Sequence, residues 1–258
     1  MTPFLPSVYI FVLGLCIGSF LNVCIYRLPE GRSIVQPASA CTQCGSPLRW
    51  YDNIPVLSYV FLRGRCRTCH IAISPRYPIV ELLTGMFAFA LWLRFGLHPQ
   101  TVVYFVFVAA LLTITFIDID HRIIPDAISL PGIPIGFALS FFLPQIGWLD
   151  SLLGIALGGG SLFLVAGGYQ LLTGKEGMGG GDIKLLGMIG AFIGWQGVLF
   201  TIMISSFSGT AAGLALMLRN RKDMKMAIPF GPFLSIGAIV YVFFGPEWID
   251  WYLNRFAM

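Results

Sequence analysis

Charge is what this sequence has least of. Only 11% of its 258 residues are Asp, Glu, Lys or Arg, and it has three His. Soluble globular domains carry about twice that share of charge, so that class is excluded. No G-x-G-x-x-G follows a strand-like run, which excludes a Rossmann-type cofactor site. The first apolar stretch, Pro6 to Tyr26, has neither a basic lead-in nor an A-x-A-like cleavage site. It is therefore expected to be a retained helix and not a signal peptide. No internal repeat is convincing either.

What the chain does have is apolar length. Hydrophobic residues make up 57% of it, and its mean hydropathy is +0.81. Runs long enough to cross a bilayer, or nearly so, lie near 6–26, 78–96, 101–118, 127–144, 150–172, 183–196, 197–218 and 228–246. The sixth is short, and only the turn signal Gly194-Trp195-Gln196-Gly197 parts it from the seventh. Backbone groups in lipid must be satisfied within helices or a closed barrel. The expectation is an all-α integral membrane protein, a bundle of about eight transmembrane helices. Its expected divisions are a first helix (1–27), a small cytoplasmic insert (28–76) and a multi-helix domain (77–258). Small residues such as Gly154, Gly158, Gly159 and Gly160 would let helices approach closely.

Eight spans place both termini on one side, and the cations test that topology. Fourteen of the 16 Lys and Arg then fall on one face, leaving Arg94 and Arg255 on the other. The positive-inside rule makes the crowded face cytoplasmic and puts both termini outside.

The polar insert is too small to build a stable core alone, and such segments usually need a metal or disulfides. Cys41-Thr42-Gln43-Cys44 and Cys66-Arg67-Thr68-Cys69 form paired C-x2-C motifs. This spacing is close to that of a four-thiolate zinc site, and cytosolic thiols stay reduced. Four thiolates leave no open position, so the zinc would be structural. Cys66-x-x-Cys69-His70 also fits a c-type haem attachment pattern, but it faces the wrong side. A nucleic-acid-binding ribbon is disfavoured, because an anionic membrane face explains the nearby arginines equally well. Cys16 and Cys24 read as packing residues of the first span.

Few acids remain, and several converge on one face. Asp118, Asp120 and Asp126 follow the third span, with His121 between them as an interfacial side chain. Glu176 and Asp182 precede the sixth, while Glu81 sits one turn inside the second. Asp126 and Asp150 are expected to cap the helices that follow them. Met178-Gly179-Gly180-Gly181-Asp182-Ile183-Lys184 brings an aspartate to the start of an apolar run, where it either caps a helix or does chemistry. Asp118 and Asp182 can sit at equal depth at the ends of two helices, positioned to hold one water. Such a pair shares a proton: the charged member takes a proton from water while the other hydrogen-bonds a scissile carbonyl. The helix N-terminus at Asp182 favours it as the base. A proton relay in a transporter would use Asp118, Asp182 and Glu81 instead. Transporter acids, however, usually lie near the membrane midplane.

Taken together, these pieces resemble the bacterial type IV prepilin peptidase family. The resemblance rests on Gly18-Ser19-Phe20-Leu21-Asn22-Val23 with Tyr26-Arg27-Leu28-Pro29, the two C-x2-C pairs, and Tyr77-Pro78-x-Val80-Glu81-Leu82. It continues through Asp118 to Asp126 and Gly179-x-Gly181-Asp182-x-Lys184. It covers nearly the whole chain in the family's order. It implies an inner-membrane aspartyl protease that removes the basic leader from prepilins or type II secretion pseudopilins at the cytoplasmic face. It further implies methylation of the new N-terminal amine with S-adenosylmethionine. The catalytic pair falls on Asp118 and Asp182, the former chosen over Asp120 because it lies seven residues before Pro125. Gly179, Gly181, Lys184, Asp120 and Glu81 would support the site or bind substrate, and Gly64 beside Cys66 would serve methyl transfer. Cys41, Cys44, Cys66 and Cys69 would hold Zn2+. The implied partners are prepilin or pseudopilin precursors and membrane lipid, with no nucleic acid. A peptidase lacking methyl transfer is the nearest alternative, and a proton-coupled transporter a more distant one.

Overall fold

The computed structural model describes residues 4–143, 146–174, 179–219 and 229–256. Its helices are α1 (Phe4–Arg27), the short α2 (Leu57–Phe61), α3 (Arg76–Phe95), α4 (Pro99–His121), α5 (Asp126–Ser140), α6 (Trp148–Thr173), α7 (Gly180–Arg219) and α8 (Gly231–Phe256). Two compact units divide the chain, Met1–Thr113 and Ile114–Met258. Glu176 and the cations Lys175, Arg221, Lys222 and Lys225 lie outside the described residues.

In the first unit α1 packs on α3. The inner face of α3 carries Val80, Glu81, Thr84, Ala88 and Leu91, all buried, at the spacing that lines one side of a helix. Glycines set the approach. A Cβ on Gly18 would lie 2.7 Å from the Glu81 Cα, and one on Gly14 would lie 2.8 Å from the Gly85 Cα. Between these helices the insert forms two similar knuckles. Each is closed by an isolated antiparallel bridge, Ala40 with Pro47 and Arg65 with Ala72. In each, the residue after the second cysteine is left-handed: Gly45 at φ 68° and His70 at φ 57°. His70 is thus a turn residue.

In the second unit α7 is the central element, packed by α5, α6 and α8. Forty unbroken helical residues would run about 60 Å, twice the hydrocarbon thickness. The helix breaks instead at Gly194 (φ 71°, ψ −179°), the residue where the sequence predicts a turn. Counting both halves gives eight helical segments outside the insert among the described residues. Six helices of the described chain are long and apolar enough to cross a membrane, and α5 is a shorter apolar helix. The protein is therefore a multi-pass membrane protein.

Close packing of α6 on α7 rests on backbone touching backbone. A Cβ on Gly154 would fall on the Gly190 carbonyl oxygen, one on Gly190 on the Gly154 carbonyl, and one on Gly158 on the Leu186 carbonyl. Ser151 adds a hydroxyl bond to the Ala191 carbonyl at 2.7 Å. Neither main chain can move aside as a side-chain tip would. Gly190→Ala is expected to cost about 3 kcal/mol or more, the upper part of the overpacking range. A thermal unfolding midpoint in detergent would check this, and an unchanged midpoint would refute the contact.

The two expected caps turn out differently. Asp150 accepts the Gly147 N–H at 3.2 Å, closing the start of α6. Asp126 does not cap α5. Pro125 occupies the cap position with no side-chain bond, because Asp126 already lies inside the first turn and its carboxylate reaches another helix.

Candidate active site

Helix α4 buries Ile114, Ile117 and Asp118 on one face and leaves Ile119, Asp120 and His121 exposed. The helix is stopped by Arg122, left-handed at φ 56°, whose N–H returns to the Asp118 carbonyl at 2.9 Å. Asp118 is 5% exposed. Its Oδ2 accepts the Gly231 N–H at 3.0 Å, a bond from the first residue of α8. Asp182 lies in the first turn of α7, its N–H bonded to the Gly179 carbonyl at 3.2 Å. The Asp118 and Asp182 carboxylates are within Coulombic reach of one another.

Two contacts hold the start of α7 against the segment after α4. Gly181 leaves room for Ile124, whose Cβ would be 2.9 Å from a Cβ at that glycine. Lys184 Nζ bonds both Asp126 oxygens at 2.8 and 2.9 Å. Lys184 thus bridges α7 to α5.

Gly231 is a residue that sequence reasoning missed. A Cβ there would stand 2.7 Å from Asp118 Oδ2, inside van der Waals contact. Gly231→Ala is therefore expected to displace the carboxylate and lower cleavage at least about tenfold, with little change in thermal midpoint. The loss of rate reflects how steeply catalysis depends on placement.

Glu81 and Gly64 both belong to the first unit. Glu81 is 8% exposed and accepts the Val56 N–H at 2.7 Å. Gly64 is left-handed (φ +66°), and a Cβ there would lie 2.9 Å from the Tyr59 hydroxyl oxygen.

The four insert cysteines do converge. Their sulfur atoms all lie within 4.8 Å of one another, with Cys41 and Cys69 at 3.9 Å. Four sulfurs at the zinc bond length of about 2.3 Å in a tetrahedron stand about 3.8 Å apart, so the cluster fits a metal ion. This convergence also removes the haem reading of Cys66 and Cys69. The Ser46 hydroxyl, foremost among several hydrogen bonds, pulls the Cys44 thiol down to about 6. At Cys69 the Ile71 backbone lowers the thiol, but burial and the three other sulfurs together push it up to about 11.

The two halves match separate families of known sequence. Residues 12–95 match the bacterial peptidase A24 N-terminal domain, and residues 105–214 match the type IV leader peptidase family. A prepilin leader peptidase/N-methyltransferase of Pseudomonas putida is 39% identical, across 92% of this chain and 90% of its own.

The chain belongs to the type IV leader peptidase family.

Other members of the same name agree. The protein of Aeromonas hydrophila is 36% identical over 98% of this chain and 96% of its own. That of Pseudomonas aeruginosa is 37% identical over 94% and 92%. No solved structure matches the chain. On this fold the type IV leader peptidase match runs from α4 into α7 and so includes both aspartates, and the N-terminal match includes both cysteine knuckles.

Proposed function

We propose that this protein is a bifunctional prepilin peptidase of the bacterial inner membrane. It cuts the basic leader from type IV prepilins or type II secretion pseudopilins and methylates the amine so freed. The observation that supports the reading is that Asp118, buried at the end of α4 and bonded to the Gly231 N–H, and Asp182, in the first turn of α7, belong to one compact unit. One carboxylate takes a proton from the attacking water while the other, protonated, hydrogen-bonds the scissile carbonyl. Gly231 holds Asp118 through its N–H, and Lys184 with Asp126 fixes the turn that carries Asp182. The site faces the cytoplasm and both termini are periplasmic, which follows from the cation asymmetry. A basic leader dwells at the anionic cytoplasmic leaflet, where Asp120 adds attraction.

The four cysteines hold a structural Zn2+, in keeping with four sulfurs within 4.8 Å of one another and an all-thiolate donor set that leaves no open position. S-adenosylmethionine supplies the methyl group. Purified protein in detergent, given a prepilin and methyl-labelled donor, is expected to yield a shortened pilin carrying label on its new N-terminus. A substrate that stays intact refutes the peptidase. A shortened product without label leaves a peptidase that does not methylate.

A further inference from the structure

The short helix α2 turns an apolar face away from the rest of the insert. Leu57, Val60 and Phe61 stand at the i, i+3, i+4 spacing that shares one side of a helix, and they are 55%, 63% and 82% exposed. The opposite side is the packed one. There the Tyr59 hydroxyl donates to the Ile73 carbonyl at 3.3 Å, and Gly64 lies against the Tyr59 ring. The 3-10 turn Trp50–Asn53 packs on α2 and adds Trp50, itself 81% exposed. Apolar exposure of this kind marks a surface that meets a partner or a membrane.

The depth of α2 says which. Glu81 lies five residues into α3, about 7.5 Å along its axis, and its carboxylate accepts the Val56 N–H at 2.7 Å. Val56 immediately precedes α2 and is bent to φ 60°, a conformation that β-branched residues shun. Strain persists only where the surroundings impose it, and here the bent amide meets the buried Glu81. From its place inside the apolar span, Glu81 thus draws the start of α2 down beside the membrane helices. Interfacial segments bury their apolar face about 5–10 Å into the boundary between headgroups and acyl chains. The start of α2 is held at that depth.

Charge follows in the same stretch. Directly after α2 come Arg63 and Arg65, both exposed. With Phe61, Arg67 and His70 they line a recess of about 470 Å³ that has no carboxylate on its wall. Asp52 already holds Arg67 at 2.6 Å, so Arg63 and Arg65 are the cations this recess offers. A guanidinium fork binds phosphate through paired hydrogen bonds, and tryptophan favours the membrane–water interface. A basic recess beside an apolar face fits a phospholipid, headgroup and chain together. A free phosphate would use only the recess, and an apolar protein surface only the face.

We infer that α2 is an interfacial anchor of the insert. Its Leu57, Val60 and Phe61 face lies among the acyl chains of an anionic bilayer, and Arg63 with Arg65 takes the lipid phosphate. The insert is thereby seated on the membrane at a third point, besides its junctions with α1 and α3. A segment tethered only at its ends pivots about them, and the third point fixes which side meets lipid.

The test places p-benzoylphenylalanine at position 61 of the full-length protein, in vesicles of phosphatidylglycerol and phosphatidylcholine with radiolabelled acyl chains. Phe61 is exposed, so the probe displaces nothing packed, and a second probe at Leu57 gives an independent reading. The same probe at Leu93, an exposed residue of α3, serves as the standard for lipid contact. Irradiation is expected to join labelled lipid at positions 57 and 61 as it does at 93. With Arg63→Glu and Arg65→Glu introduced together, the yield at 61 is expected to fall about threefold or more, because each cation near an anionic surface adds attraction. Circular dichroism checks the fold of each protein. Lipid joined at 93 but at neither 57 nor 61 overturns the anchor. A cross-link from 61 to an added prepilin makes the face a substrate dock, and one to a second copy of the chain makes it a dimer contact; either overturns the inference. A yield unmoved by the arginine changes overturns the phosphate contact. None of these readings depends on cleavage or methyl transfer.

Discussion

Asp118→Asn and Asp182→Asn are each expected to lower leader cleavage by about a thousandfold or more, in protein that still folds. Proton transfer by a placed side chain contributes about 10²–10⁴-fold, and asparagine preserves shape while losing that function. Asp118→Asn keeps an oxygen to accept the Gly231 N–H, so α8 stays seated. Because the pair acts as a unit, the double variant is expected to be scarcely slower than either single one. Asp120→Asn is expected to stay within about tenfold of wild type, because Asp120 is exposed while Asp118 is buried. Initial rates on a purified prepilin, with circular dichroism on each variant, measure all four. Appreciable cleavage by Asp182→Asn would sink the two-aspartate mechanism.

The second large effect concerns the metal. A structural zinc contributes about 10–16 kcal/mol to small zinc domains, comparable to the whole stability of a typical domain. Besides the metal, the insert is held by two isolated bridges, two short 3-10 turns and α2, the Arg67–Asp52 ion pair and the Val56–Glu81 bond. Cys41→Ser or Cys69→Ser is expected to drop zinc from about one atom per chain to near none. Trypsin is then expected to cut at Arg49, Arg63 and Arg65, while total helix content falls only slightly. Cys16→Ser and Cys24→Ser, which lie in α1, are expected to keep the metal. Zinc retained in both insert variants would contradict a four-thiolate site.

The sequence and the structure agree best where one local signal suffices. Apolar length marked the membrane helices, and the C-x2-C spacing marked the sulfur cluster. Gly194, in a weak turn signal, proved to be the break in α7. Less could be read where the answer depends on rotation or on distant partners. Asp118 and Asp120 differ by two residues, about 200° around a helix, and only packing decides which of them turns inward. Asp126 read as a cap because its partner Lys184 is 58 positions away. Gly231 lies in Phe230-Gly231-Pro232, near the start of the last apolar run expected at 228–246. Nothing local announces that its amide meets a carboxylate 113 positions earlier. Glu81 was recognisable as a costly buried acid, yet its bond to the strained Val56 amide belongs to the folded insert alone.

The break at Gly194 has a consequence for the bilayer itself. It leaves the Asp182-bearing half of α7 only roughly 21 Å long at 1.5 Å per residue. Its neighbour α5, with 15 residues, is similar at about 22 Å. Hydrocarbon is about 30 Å thick, so these two rods fall short of it. Lipid meets a deficit of this kind by thinning, at a modest cost per ångström. A pilin helix arriving beside them would be longer than the local membrane, so it must tilt or extend into water. The scissile bond is thereby exposed without extracting the substrate from lipid, and cleavage should quicken in shorter-chain phospholipids.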